Sequence, residues 1–121
     1  MRESRSGTIC LLDEGILCFR AARGVAHDEH VAAENLEILG DLVGGEPTPT
    51  LVDMRHCGPV DLAARRAYAS AACISAQALL VGSPFTRIVA ALFMKVSGLQ
   101  TPARIFTSEE KALQWLRGFI P

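Results

Sequence analysis

The residue types best suited to chemistry gather in three places. Asp53, Arg55, His56 and Cys57 sit at the C-terminal end of a short apolar run, the edge at which open α/β sheets place ligands. A thiol next to an imidazole suggests a nucleophile with its base, which would make Cys57 the reactive group of a thiol enzyme. Adjacent loop residues rarely point at one another, and catalytic partners usually come from distant segments. The plainer reading is an Asp53–Arg55 pair that fixes the loop, with Cys57 incidental. Second, the turn Gly82-Ser83-Pro84 opens a helix, with Arg87 one turn in. Free amides and the helix dipole there favour an anion, and a guanidinium adds a charge-assisted bond to a carboxylate or phosphate. Gly82, Ser83, Arg87, Asp53 and Arg55 are therefore the candidate ligand or anion-binding set. Simple capping by Ser83 and Pro84 explains the turn equally well. Third, His27 and His30 lie three residues apart, flanked by Asp28 and Glu29. A complete metal site needs three or four ligands, so solvated first-turn residues are expected and no metal.

The elements that must position these residues alternate along the chain. Thr8 to Leu12 and Ile16 to Ala21 flank Asp13-Glu14-Gly15 and read as a hairpin. A helix is expected from about Asp28 to Val43, with Ala32, Leu36, Leu39 and Val43 on one stripe, Asp28 as cap and Gly44-Gly45 as stop. Thr50 to Met54 is a short buried strand, and Asp61 caps a helix from Leu62 to about Ala72. A strand from Ala76 to Val81, a helix from Pro84 to about Ser97 and a strand from Ala103 to Phe106 follow. Thr107 to Glu110 fits a capping box with Thr107 as cap, opening a last helix with Ala112, Leu113, Trp115 and Leu116. The order ββαβαβαβα predicts an α/β fold: a mixed, largely parallel five-stranded sheet with four helices. Residues 1–7 are expected to form a flexible head and residues 8–121 a single domain.

Composition excludes several classes. Of 121 residues half are hydrophobic and the net charge is -1, so no basic footprint for nucleic acid exists. No apolar run reaches the ~20 residues that cross a bilayer, and the polar start lacks a secretion signal's apolar core. The four cysteines form no CxxC pair, which suits reduced thiols. A cytoplasmic protein without cofactor or integral membrane association is expected.

Three segments carry a family likeness: Leu51-Val-Asp-Met-Arg55, Leu80-Val-Gly-Ser-Pro-Phe-Thr-Arg87, and Phe106-Thr-Ser-Glu-Glu110 leading into Ala112-Leu-Gln-Trp-Leu116. With them the chain resembles the SpoIIAA-like (STAS) fold, and more closely small bacterial proteins described as STAS/SEC14 domain-containing. The resemblance implies a regulatory, scaffolding or apolar-ligand-binding module rather than a known enzyme. It does not bring the phosphoswitch of the anti-anti-sigma factors. In the corresponding stretch, Asp53-Met-Arg-His-Cys-Gly58, no serine or threonine offers a hydroxyl to modify.

The helix from 84 to 97 is apolar beyond one face. Phe85, Ile88, Val89, Leu92 and Val96 share a stripe, Phe93 lies at its margin and Met94 nearly opposite. Phe85, Ile88, Leu92, Phe93 and Met94 are thus candidates for an interface or an apolar pocket. The expected function is a non-enzymatic regulatory or protein-interaction module, in the form of a homodimer or with another protein partner. The alternative is a carrier or sensor of a small apolar, lipid-like ligand. Its head would sit at Ser83 and Arg87, its tail among Phe85, Ile88 and Phe93.

Overall fold

The computed structural model describes residues 1–96 and 99–121. Ten elements follow one another: β1 (Arg2–Ser4), β2 (Gly7–Leu11), β3 (Leu17–Ala21), α1 (Glu29–Val43), β4 (Thr48–Asp53), α2 (Leu62–Ala69), β5 (Ile74–Leu80), α3 (Pro84–Met94), β6 (Ala103–Phe106) and α4 (Glu109–Arg117). The strands form one sheet in the order β1-β2-β3-β4-β5-β6. Pairing is antiparallel from β1 to β3 and parallel from β3 to β6. The sheet therefore has six strands rather than the expected five. Arg2–Ser4, read from the sequence as part of a flexible head, pairs with Gly7–Ile9 instead. Gly7 allows the tight return: a Cβ there would collide with the carbonyl oxygen of Arg20.

The helix layers follow from the crossovers. Each parallel step moves one strand in the same direction, and right-handed crossovers then put every connecting helix on one face. Accordingly α1, α2 and α3 cover one side, where Phe19, Leu79, Val89 and Phe93 are buried. Among the described residues only α4 covers the other, packing Ala112 and Leu116 on Cys18, Leu51, Ala78 and Leu80.

Local chemistry sets the helix ends. The Asp28, Asp61 and Ser83 side chains accept from the amides of Val31, Ala64 and Thr86. Gly44 ends α1 at φ 60°, the left-handed position that suits glycine. The last cap differs by one residue from expectation: Ser108, not Thr107, accepts from the Lys111 amide at 3.3 Å. Helix α2 stops at Ala69 and α3 at Met94; the expected stop at Ser97-Gly98 lies outside the described residues. Pro49, with no N–H to give the ladder, falls where the β4–β5 register shifts.

Candidate functional site

The parallel pairing of β3 and β4 puts Arg20 opposite Asp53, and the first turn of α4 brings Glu109 over the same edge. Arg20 Nη1 donates to Asp53 Oδ2 at 2.9 Å and to Glu109 Oε1 at 2.7 Å. Arg55 grips Asp53 with both prongs, Nε to Oδ1 at 2.9 Å and Nη2 to Oδ2 at 2.8 Å. The stem of Arg55 lies against Gly82, where an added Cβ would come within 3.1 Å of Cγ. Burial by itself raises the Asp53 carboxyl, but the bonds from Arg55 and Arg20 outweigh it and hold it below the usual range. The hydrogen bond from Arg20 likewise lowers Glu109, and the bond to Glu109 raises Arg20 in return. Two cations and two anions close on one another, so this cluster ties three elements together and commits Nε and Nη2 of Arg55 to Asp53.

Next to it, Gly82, Ser83 and Arg87 do come together. They line an open groove of about 290 Å³ with Val81, Pro84 and Thr107. Much of the turn's hydrogen-bonding capacity is used inside the turn. The amides of Gly82 and Ser83 both donate to Thr86 Oγ1, at 3.1 and 3.0 Å, and the Thr86 amide donates to Ser83 Oγ at 3.1 Å. Pro84 has no N–H. Asp53 and Arg55, grouped with these residues in the sequence, belong to the charged cluster behind Gly82 and do not line the groove.

The sulfur and imidazole groups are dispersed. Cys57 is buried, and burial pushes its thiol up to about 11, opposite to the depression a nucleophile needs. His56 is exposed and its Nδ1 accepts from Arg23 Nη2 at 3.2 Å. His27 is buried, with Nδ1 2.8 Å from the Tyr68 hydroxyl, while His30 is exposed. Among the described residues no three His, Cys, Asp or Glu side chains group as metal ligands.

Helix α3 divides its apolar residues differently from the sequence reading. Val89, Ala90 and Phe93 face the sheet, and Met94 packs half-buried against the same cluster. Phe85, Ile88 and Leu92 point outward, 49%, 60% and 45% exposed. Spacings of three and four residues put these three on one line. The candidate pocket set therefore splits into an inner pair, Phe93 and Met94, and an outer triad. A tail shared by Phe85, Ile88 and Phe93 has no common wall to lie on.

The sequence reading passed over Arg20, Glu109 and Thr86. Arg20 and Glu109 lie 89 residues apart, and no spacing joins them. Thr86 was legible as a hydroxyl three residues after the cap.

Comparison with known proteins gives the fold a context. No curated protein matches the chain. A crystal structure of an uncharacterized protein of the DUF3478 family with a SpoIIAA-like fold, from Shewanella loihica PV-4, superposes with a TM-score of 0.64 at 17% identity, covering 96% of this chain and 98% of that one. A protein of unknown function from Arthrobacter sp. FB24 is 29% identical over 96% of each chain, with a TM-score of 0.38. No helix among the described residues is long and apolar enough to cross a membrane. The family described as Domain of unknown function (DUF7793) matches residues 10–120, so this chain, on its SpoIIAA-like scaffold, belongs to the DUF7793 family.

Proposed function

We propose that the chain is a non-enzymatic regulatory or protein-interaction module that pairs with a second copy of itself through the outer face of α3. The observation that carries this reading is the line Phe85, Ile88 and Leu92. Three large apolar side chains in a row on one helix form a contiguous patch, whereas scattered single ones need no explanation. Two such faces across a two-fold axis cover each other. The buried Cys57 thiol and the self-satisfied Asp53–Arg55 pair favour binding over catalysis. Regulation through a phosphorylated loop is not part of the proposal, because residues 53–58 carry no hydroxyl.

Sedimentation equilibrium tests the pairing. Wild type is expected to be a dimer at tens of micromolar, and Ile88→Glu a monomer with an unchanged circular dichroism spectrum and melting temperature. Met94 is the wrong position for this test, since its side chain packs half-buried against the inner cluster. A wild type that stays monomeric at high concentration would reject the proposal.

A further inference from the structure

Beneath α1, α2 and α3 the sheet leaves an unfilled space. A cavity of about 60 Å³ opens between strands β3 to β5 and these helices, with Phe19, Val52, Met54, Leu79, Val89 and Phe93 among its lining. An apolar cavity of roughly 150 Å³ takes up benzene, so a one-ring guest enters this smaller space only where a lining side chain gives way. Its accessible wall is apolar. Apolar cavities tend to stay dry and to take up apolar guests. One end is built from two loops zipped together: His27 N donates to Pro59 O at 2.8 Å and Gly58 N to Val25 O at 3.1 Å. Gly58 is required there, because a Cβ would lie 2.8 Å from the backbone of Gly24 and Val25.

Three residues of the lining carry buried polar atoms with no partner: His27 Nε2, Asn35 Oδ1 and Arg65 Nε. His27 is 4% exposed and Asn35 1%. The hydrogen bonds around them fix the protons. Asn35 Nδ2 donates to Ser6 Oγ at 2.8 Å and to the Tyr68 hydroxyl at 2.9 Å, which engages both of its protons. The Tyr68 hydroxyl then donates to His27 Nδ1 at 2.8 Å. Burial keeps that phenol protonated, pushed up to about 12, and lowers His27, so the imidazole is neutral with its single proton on Nε2. The network thus ends in one unpaired donor, Nε2–H, and one unpaired acceptor, Oδ1. A group that both accepts and donates satisfies the two together, as a water does and as the hydroxyl of a small guest does.

We propose that this cavity binds a small uncharged molecule, one apolar ring or a short branched chain bearing a single hydroxyl, which bridges His27 Nε2 and Asn35 Oδ1. His27 and Asn35 both line the cavity, and the flexible thioether of Met54 is the lining side chain best able to give way. The site is separate from the outer face of α3 and does not depend on self-association.

Phenol, benzene and benzoate serve as probes, read by methyl NMR of Met54 and Val89 during titration. Phenol is expected to shift both methyls saturably and to bind roughly tenfold more tightly than benzene, the size of one good hydrogen bond. His27→Phe should remove that preference while benzene binding persists. Val52→Phe, or Ala21→Leu should that variant fail to fold, should fill the space and abolish the shifts. The assignment is overturned if phenol leaves the methyls unmoved at millimolar concentration. It is also overturned if the filled variant still shows the shifts, or if His27→Phe keeps the preference. Benzoate binding more tightly than phenol would equally overturn it, placing a carboxylate on Arg65 instead.

Discussion

Against α4 the sheet presents Cys18, Leu51, Ala78 and Leu80, apolar and closely covered until the charged cluster at the edge. Against α1, α2 and α3 it presents Phe19, Thr50, Val52, Gln77 and Leu79, with two buried polar side chains and a cavity among them. Small residues explain the first face. Ala76, Ala78 and Ala112, all fully buried, let the helix settle close to the strands, where dispersion contacts are dense. On the second face three helices must span a wider area, and larger side chains do not fill it. One face is built for cohesion. The other keeps volume and hydrogen-bonding capacity in reserve.

Matched deletions are the strongest way to break this comparison. Leu116→Ala on the α4 face should cost about 4 kcal/mol in urea unfolding, and Leu39→Ala beside the cavity about 2.5 kcal/mol, because Leu39 already lacks neighbours on one side. Equal losses would mean that the two faces are packed alike. Overfilling sharpens the same point from the other direction. Ala78→Val should destabilise by about 2 kcal/mol through forced repacking, whereas Ala21→Val, which points at free space, should change stability by less than about 0.5 kcal/mol. A reversed order would sink the distinction.

Acid gives the smallest and most selective readout. The unfolded chain takes up a proton at the ordinary histidine value of 6.5 that folded His27 refuses, so stability should begin to fall as pH drops below that value. A second fall is due near the ordinary values of Asp and Glu, 3.8 and 4.5, where folded Asp53 and Glu109 resist protonation. His27→Phe should erase the first step and keep the second; Arg20→Ala should weaken the second and keep the first. Denaturation midpoints measured across pH separate them, and a single merged step insensitive to His27→Phe would contradict the cavity-side assignment.

Most of the fold was legible because its signals are local. Asp28, Asp61 and Ser83 announce their helices, and short apolar runs between them announce a parallel sheet. What escaped has a physical reason in each case. Arg-Glu-Ser at β1 is an edge strand with almost nothing to bury, so no alternation marks it. In α3 two neighbouring stripes are both apolar, and periodicity does not say which one the sheet covers; Phe93 proved inner and Ile88 outer. The His27–Tyr68–Asn35 network joins a loop and two helices through tertiary contact alone. Its members look like unremarkable polar residues until the chain folds.

The modest strand β1 has a consequence for how the protein behaves in a crowded solution. Edge strands with unpaired backbone groups invite other chains to add on and grow fibres. This sheet ends on Arg2-Glu3-Ser4 at one margin and on four-residue β6, with exposed Arg104, at the other. Both margins are short and charged, the kind that strand addition avoids. Without residues 2–4 the margin would become Gly7-Thr-Ile-Cys-Leu11, a longer and more apolar template. The three polar residues of β1 thus act as a guard against aggregation.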